Sequence, residues 1–456
     1  MKMSIILAAG QGTRMKSDIP KILHKVCGKE MIRYVIEAST KSGIDKNIVV
    51  LGHGKEKVGY NIKDMNVETV EQPIGDDLPY GTGCAVMAAE EFIGDEDMVL
   101  ILCGDGPLIS EETLRSFIAY HEENQYVATI MTAYLDNPTG YGRIVRKEDG
   151  SIDKIVEEKD ASEEIKKIKE INTGIYCFKG RVLKYALKKI KRDNSQNEYY
   201  LTDTIKVLND EGAKVGAWVL EDAEDIKAVN DRVQLAEVSK IMQKRINQRH
   251  MYAGVTIIDP DTTYIDDTVK IGRDTVIYPN TYLEEGTVIG EFCKIGPDTR
   301  IINSTICNNV TVENSKVVES FIDDGTCVGP FAYLRPGTCL GKNVKIGDFV
   351  EVKKSIIGDN SKSSHLAYIG DAEVGKGVNI GCGVVFVNYD GKQKHKTLVG
   401  DKAFIGSNSN LVAPLTVEEG AYVAAGSTIT EDVKKGDLAI ARARQVNKEG
   451  KGRNRF

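Results

Sequence analysis

No apolar run in this 456-residue chain approaches the length of a membrane span, so membrane insertion is not expected. The opening MKMSIILAAGQGTRM supplies only about six consecutive apolar residues before Gly and Arg intervene, too few for a signal-peptide core. Nine cysteines occur without a single C-x-x-C pair. Their odd, scattered distribution fits reduced thiols rather than a disulfide framework or a zinc site. Basic charge is not in excess either: 60 Lys and Arg stand against 67 Asp and Glu, a net charge of -7, which argues against a general nucleic-acid binder. The basic residues near the end, Lys448, Lys451, Arg453 and Arg455, read as a solvated tail. These absences describe a soluble, cytoplasmic chain. Its length exceeds what one hydrophobic core organises, so two domains are expected.

What is present in abundance is a beat of six residues. Ile265, Ile271, Ile277, Leu283, Ile289, Ile295 and Ile301 keep that spacing unbroken. It resumes as Ile322, Val328, Leu334, Leu340, Ile346 and Val352, and again as Val399, Ile405, Leu411, Val417, Val423 and Ile429. A helix repeats its apolar face every 3 to 4 residues and a strand every 2, so a period of six requires short strands joined by regular turns. That is a parallel β-helix, in which each aliphatic side chain fills the axis of a prism and small or polar residues let the coils stack.

The first half has a different rhythm. From residue 4 to about 220, short β-rich runs such as SIILAAG, NIVVLGHG and MVLILCGDGPLI alternate with amphipathic stretches such as EMIRYVIEAST, the pattern of an open α/β sheet. GRIVRKEDGSIDKIVE predicts a hairpin turning at Asp149–Gly150. Leu235, Val238, Met242 and Ile246 share one face of a predicted helix. We therefore expect an α/β domain over 1–232, a helical connector over 233–253, and a β-helix domain with a C-terminal tail over 254–456.

Directly after the first predicted strand stands LAAGQGTRMKSDIPK, with Gly10, Gly12, Thr13, Arg14 and Lys21. A glycine-rich turn at the end of a strand lets backbone N–H groups approach phosphate oxygens, while Arg and Lys neutralise charge. The dinucleotide fingerprint fails because Met15 stands where its third glycine belongs, and a Walker loop fails for want of Gly-Lys-Ser/Thr. The remaining alternative is a turn shaped by glycine and nothing more. Asp105, just beyond an apolar strand, lies where open α/β sheets place their ligand crevice, and one carboxylate with phosphate oxygens suits Mg²⁺.

The whole string resembles the L-x-x-G-x-G-T-x-M-x4-P-K signature of nucleotidyltransferases that make nucleotide sugars, and every fixed position is present from Leu7 to Lys21. YGTGCA, CGDGPLI, GYGRI, IVEEKD, INTG and AVNDR extend the likeness in order. Together with the β-helix, they resemble the bacterial family of bifunctional UDP-N-acetylglucosamine pyrophosphorylases and glucosamine-1-phosphate N-acetyltransferases. That resemblance implies a Rossmann-like nucleotidyltransferase domain followed by a left-handed β-helix. It implies that Leu7, Ala8, Ala9, Gly10, Arg14, Lys21, Gln72, Gly81 and Thr82 bind UTP, with Arg14 and Lys21 catalytic. It implies that Gly142, Glu157 and Asn172 hold the N-acetylglucosamine, and that Asp105 and Asn230 hold Mg²⁺. Two departures stand out: a longer PIGDDLPY segment after Gln72, and Gly106 in place of a bulkier apolar residue.

Function in a β-helix is read from what interrupts its repeat. FVNYDGKQKHKTLVG is the clearest excursion, and KSSHLAYIGDAEVG nearby carries His365, one of only six histidines. The latter resembles the GHLxYxGDAExG segment of the acetyltransferase half of the same family, with Ser364 where Gly is usual. His365 is then the general base for attack of the glucosamine amine on acetyl-CoA, a task suited to imidazole. The resemblance assigns Arg335, Lys353, Tyr368 and Asn379 to glucosamine-1-phosphate, and Cys382, Ser407, Ala425 and Arg442 to acetyl-CoA. Asn388 and Tyr389 border both. Cys382 departs from the usual Ala. A homotrimer, with sites built between neighbouring prisms, is also implied. The second reading keeps the nucleotidyltransferase and makes the β-helix a structural or regulatory module; a sensor that binds without turnover is a third.

Overall fold

The computed structural model describes residues 1–73, 75 and 80–452. Most of the PIGDDLPY segment, and Arg453 and Arg455, lie outside the described residues. The chain divides into two compact units between Met242 and Gln243.

The first unit is built on a mixed sheet. Its strands run side by side in the order Val215–Val219, Ala128–Tyr134, Glu170–Lys179, Met98–Cys103, Lys2–Ala8, Lys46–Leu51 and Glu68–Glu71. Lys2–Ala8 is central and parallel to both neighbours. Glu170–Lys179 runs antiparallel to the strands on either side of it. The central strands are largely apolar because both faces are covered, with buried Ser4 and Asn47 satisfying one another through a 2.7 Å hydrogen bond. Ile6, Ala8, Val49, Leu51, Leu100 and Leu102 point to the side where the helices Met31–Lys41 and Glu111–Glu123 pack. Met3, Ile5, Ile48, Val50, Val99 and Ile101 point to the other, against Thr82–Ala88, Gly180–Leu187 and Asp203–Asp210. The hairpin Arg143–Arg146 with Ile152–Val156 turns through Asp149 and Gly150, where Ser151 donates its N–H to Asp149 at 2.9 Å.

The helix Arg232–Tyr252 spans the division between the units. Asp231 caps it, accepting from the N–H groups of Val233 and Gln234 at 2.9 Å each. Val238, Met242 and Ile246 are buried and Leu235 is half-buried. In the second unit Gln243 and Asn247 donate to the Thr263 carbonyl at 2.6 and 3.1 Å.

The second unit is the left-handed parallel β-helix of hexapeptide repeats. Three ladders run along it. Ile277, Ile295, Val312, Val328 and Ile346 succeed one another on the first. Leu283, Ile301, Val317, Leu334 and Val352 do so on the second, and Ile289, Ile306, Ile322, Leu340 and Ile357 on the third. All of these side chains are buried on the axis, each contributing about 1.5–3 kcal/mol through its burial. Of the hexad positions only Ile271, in the opening coil, is half-buried. The interval between Ile301 and Ile322 is not a break: Ile306, Val312 and Val317 occupy the axis, and the steps between them shorten to five residues in places. Corners demand left-handed backbone, and asparagine supplies it at Asn280, Asn309, Asn343, Asn360 and Asn408.

Candidate active sites

In the first unit, Leu7, Ala8, Ala9, Gly10, Lys21, Gln72, Gly81, Thr82 and Asp105 all line one cavity of about 220 Å³. The turn after the first strand aims Lys21 at it. Gly12 has φ 65°, and a Cβ there would lie 2.6 Å from the Lys21 Cβ. Lys21 Nζ donates to Asp105 Oδ2 and, at 3.2 Å, to Asn230 Oδ1, which also accepts from Arg14 Nη2 at 2.9 Å. Two cations, a carboxylate and an amide oxygen therefore meet, with Lys21 and Asp105 on the cavity wall. The Asp105 and Asn230 oxygens converge on one ammonium, so they can converge on a metal. One carboxylate and one amide oxygen, completed by phosphate oxygens and water, fit Mg²⁺.

Gln72, Gly81 and Thr82 line the same cavity. Gln72 is buried and its Nε2 has no partner, an unsatisfied donor that a base edge would satisfy. Gly81 has φ 118°, and a Cβ there would meet the Tyr199 carbonyl oxygen at 2.5 Å. Thr82 Oγ1 accepts from Leu201 N–H at 3.0 Å, which fixes the rotamer that faces the cavity. Glu198 and Tyr80 complete the wall and had escaped the sequence reading; burial pushes the Glu198 carboxyl up.

Gly142, Glu157 and Asn172 come together as a second group. A Cβ on Gly142 would sit 3.4 Å from Glu157 Oε2 and 3.5 Å from the Asn172 Cβ, and Asn172 N–H donates to the Gly142 carbonyl at 2.9 Å. Asn172 Oδ1 accepts from Tyr176 Oη at 2.9 Å and Gly174 N–H at 3.1 Å. Desolvation pushes the Glu157 carboxyl up, partly offset by the Thr202 hydroxyl at 3.3 Å. Cys103 links the two groups: it lines the cavity and lies 3.8 Å from the Gly174 carbonyl. Burial drives its thiol to about 12, so it stays protonated. Gly106 borders a smaller cavity of about 170 Å³ with Asp105, Tyr141 and Thr173. A Cβ on Gly106 would meet nothing nearer than the Cys103 carbonyl at 3.8 Å, so this departure leaves space rather than relieving a clash.

In the second unit, Arg335, Lys353, Tyr368 and Asn388 gather on one side of the coil. Arg335 Nη1 pairs with Glu351 Oε1 at 2.7 Å. Contact with the Lys394 ammonium, then desolvation, pushes Lys353 below its usual value, a repulsion that a bound dianion would relieve. Lys394 sits in the excursion between Phe386 and Val399; its signal in the sequence was its place in that loop. Asn388 is buried and donates to Asp371 Oδ2 at 2.6 Å and to Tyr368 Oη at 3.3 Å. Gly370 makes that contact possible, because a Cβ would fall 2.5 Å from Tyr368 Oη and 2.6 Å from Asn388 Nδ2.

His365 is exposed, with Nδ1 3.7 Å from Asp348 Oδ2. Asp348 is the register partner of His365 on the preceding coil, a relation visible only once the coils are in register. Ser364 is not among the residues with positive φ, so the serine meets no left-handed demand for glycine. Cys382, Ser407, Ala425 and Arg442 form a column: Asn408 N–H donates to the Cys382 carbonyl at 2.7 Å, Gly426 N–H to Ser407 at 2.8 Å, and Arg442 Nη1 to Ala425 at 2.6 Å. Tyr389 is exposed in the loop, its hydroxyl donating to Gly391 at 2.8 Å. Asn379 is not brought to Tyr368 within one chain. It pairs with Lys362 and Phe404 on one ladder, whereas Tyr368 pairs with Glu351 and Val385 on another.

The nucleotidyl transferase family model matches residues 3–239, and the bacterial transferase hexapeptide model (six repeats) matches residues 268–303. The chain is 57% identical over 447 residues to the bifunctional protein GlmU of Alkaliphilus metalliredigens, covering 98% of this chain and 97% of that one. It is 55% identical to GlmU of Clostridioides difficile and 56% identical to GlmU of Acetivibrio thermocellus, each match covering 98% of this chain and 96% of the relative.

Proposed function

Because the chain belongs to the family of bifunctional GlmU proteins, we propose that each of its two transfer reactions is carried by the residues gathered in one unit. The enzyme acetylates glucosamine-1-phosphate with acetyl-CoA and then transfers UMP from UTP to N-acetylglucosamine-1-phosphate, giving UDP-N-acetylglucosamine and pyrophosphate. We assign acetyl transfer to 254–456, uridylyl transfer to 1–232, and the linking role to 233–253.

In uridylyl transfer the uracil occupies the end of the cavity with Gln72, Gly81 and Thr82, and the loop from Leu7 to Gly10 meets the phosphates. Gly142, Glu157 and Asn172 hold the sugar so that its phosphate oxygen attacks the α-phosphorus in line as pyrophosphate leaves. Arg14 and Lys21 balance the charge that develops, and no protein nucleophile is required. Asp105 and Asn230 would hold Mg²⁺, which supplies charge neutralisation to the phosphates when bound. The observation that carries this assignment is the meeting of Lys21, Arg14, Asp105 and Asn230 at one point.

In acetyl transfer Arg335 and Lys353, joined by Lys394, neutralise the sugar phosphate, and Tyr368 and Asn388 border the sugar. His365 takes a proton from the amine as it attacks the thioester carbonyl; the amide forms and the CoA thiolate leaves. The column of Cys382, Ser407, Ala425 and Arg442 lies along the path of CoA, with Tyr389 beside it.

Asn379 and Tyr368 face different sides of one prism, which supports a homotrimer whose sites are completed by a neighbouring copy. We assign the enzyme to the cytoplasm, where UTP and acetyl-CoA are both at hand; among the described residues no helix is long and apolar enough to cross a membrane. His365→Ala and Asp105→Ala test the division of labour. The first should abolish acetyl transfer and leave uridylyl transfer, and the second should do the reverse. Full acetyl transfer by His365→Ala would remove the general base and leave the β-helix a structural module.

A further inference from the structure

Arg143 is the bulkiest fully buried side chain among the described residues, 1% exposed, and none of the chemistry above uses it. It stands immediately after Gly142 at the start of the hairpin. Its Nη2 pairs with Glu158 Oε2 at 2.8 Å and reaches the Lys166 carbonyl at 3.4 Å, and its Nη1 donates to the Tyr141 carbonyl. Glu158 Oε2 also accepts from Gly140 N–H at 3.3 Å. One guanidinium thus ties the turn Gly140–Gly142 to the turn that follows Val156, and Glu157 lies between the tied residues. At the far end of the same strand Arg146 grips buried Glu170 with two bonds, at 2.6 and 2.7 Å, so the strand is held at both ends.

A buried charge is costly unless it is paired and hydrogen-bonded, and Arg143 Nε has no partner at all. The cost is borne next to Gly142 and Glu157, whose contact leaves only 3.4 Å between a Gly142 Cβ and Glu157 Oε2. A lysine in this position would carry the charge without the planar fork needed to reach the Tyr141 carbonyl, Glu158 and the Lys166 carbonyl together. We propose that Arg143, through its ion pair with Glu158, is a positioning residue for the sugar-phosphate acceptor: it sets the spacing of Gly142 and Glu157 and so the affinity for N-acetylglucosamine-1-phosphate. This rests on the assignment of Gly142, Glu157 and Asn172 to the sugar.

The test measures KM for each substrate of uridylyl transfer in the full-length enzyme, for Arg143→Lys, Glu158→Ala and the control Glu157→Gln, with acetyl transfer measured alongside. Arg143→Lys and Glu158→Ala should raise KM for N-acetylglucosamine-1-phosphate roughly tenfold, the scale of one lost charged hydrogen bond, with KM for UTP, kcat and acetyl transfer within about twofold of wild type. A uniform fall in kcat and in affinity for both substrates, together with a lowered Tm, would mean that the pair only holds the fold, and overturns the inference. If Glu157→Gln raises the sugar-phosphate KM but neither Arg143→Lys nor Glu158→Ala does, the positioning role alone fails. If Glu157→Gln also leaves that KM unchanged, the sugar assignment itself falls.

Discussion

Gly12 answers two demands at once, a left-handed φ of 65° and a Lys21 Cβ that would stand 2.6 Å from any side-chain carbon. Gly12→Ala must move either the loop or Lys21, and displacement of a catalytic group by about 1 Å costs on the order of a hundredfold in rate. Uridylyl kcat/KM should fall by about that factor while acetyl transfer is unchanged; steady-state assays of both reactions check it. The Gly-rich loop was legible because its residues are adjacent in sequence. The Asp348–His365 approach was not, because it joins neighbouring coils through register, and Lys394 was not, because only folding brings its loop to Lys353. His121 offers a pH test. Burial lowers it to about 4, and its Nδ1 lies 2.7 Å from Thr129 Oγ1. The unfolded chain takes up this proton near the usual 6.5 and the folded chain only near 4, so stability present above 6.5 is lost as pH falls across that window. The loss is about 1.4 kcal/mol per pH unit. His121→Gln should lessen the fall of Tm between those pH values, leaving the share of buried His250, which is lowered to about 4 as well, and an unchanged slope would contradict the assignment.

Elements follow from periodicity where the period holds. The six-residue beat located the β-helix because most axial positions take an aliphatic side chain, as buried Ile265, Ile277 and Leu283 do; Phe386, fully buried in register with Leu411, is an aromatic exception. Between Ile301 and Ile322 the beat drops to five in places, and there the sequence hid the continuity: shorter corners change the count without moving Val312 or Val317 off the axis. The α/β rhythm gave alternating strands and helices, but the antiparallel direction of Glu170–Lys179 could not be read, since a buried strand is apolar whichever way it runs. Ile295→Ala empties one axial position and should cost about 2–5 kcal/mol, read as a lower denaturant midpoint for the β-helix unit. The cavity would be local because coils touch only their neighbours, so uridylyl transfer should persist in that variant under native conditions.

At the scale of the whole molecule, the two compact units each gather one of the two groups of proposed site residues, with Asn379 set apart from Tyr368 on a different ladder. Two readings of the β-helix were open from sequence, catalytic or structural. His365 beside Asp348, the cations Arg335, Lys353 and Lys394, and the column from Cys382 to Arg442 favour the first. The most direct measurement is incubation of the purified chain with glucosamine-1-phosphate, acetyl-CoA, UTP and Mg²⁺, read by mass spectrometry, beside tubes that omit acetyl-CoA or supply N-acetylglucosamine-1-phosphate. UDP-N-acetylglucosamine should form in the complete mixture and from the acetylated sugar phosphate, and should be absent when acetyl-CoA alone is left out. Product only from the pre-acetylated sugar would contradict a catalytic β-helix and return His365 to an ordinary corner of the coil.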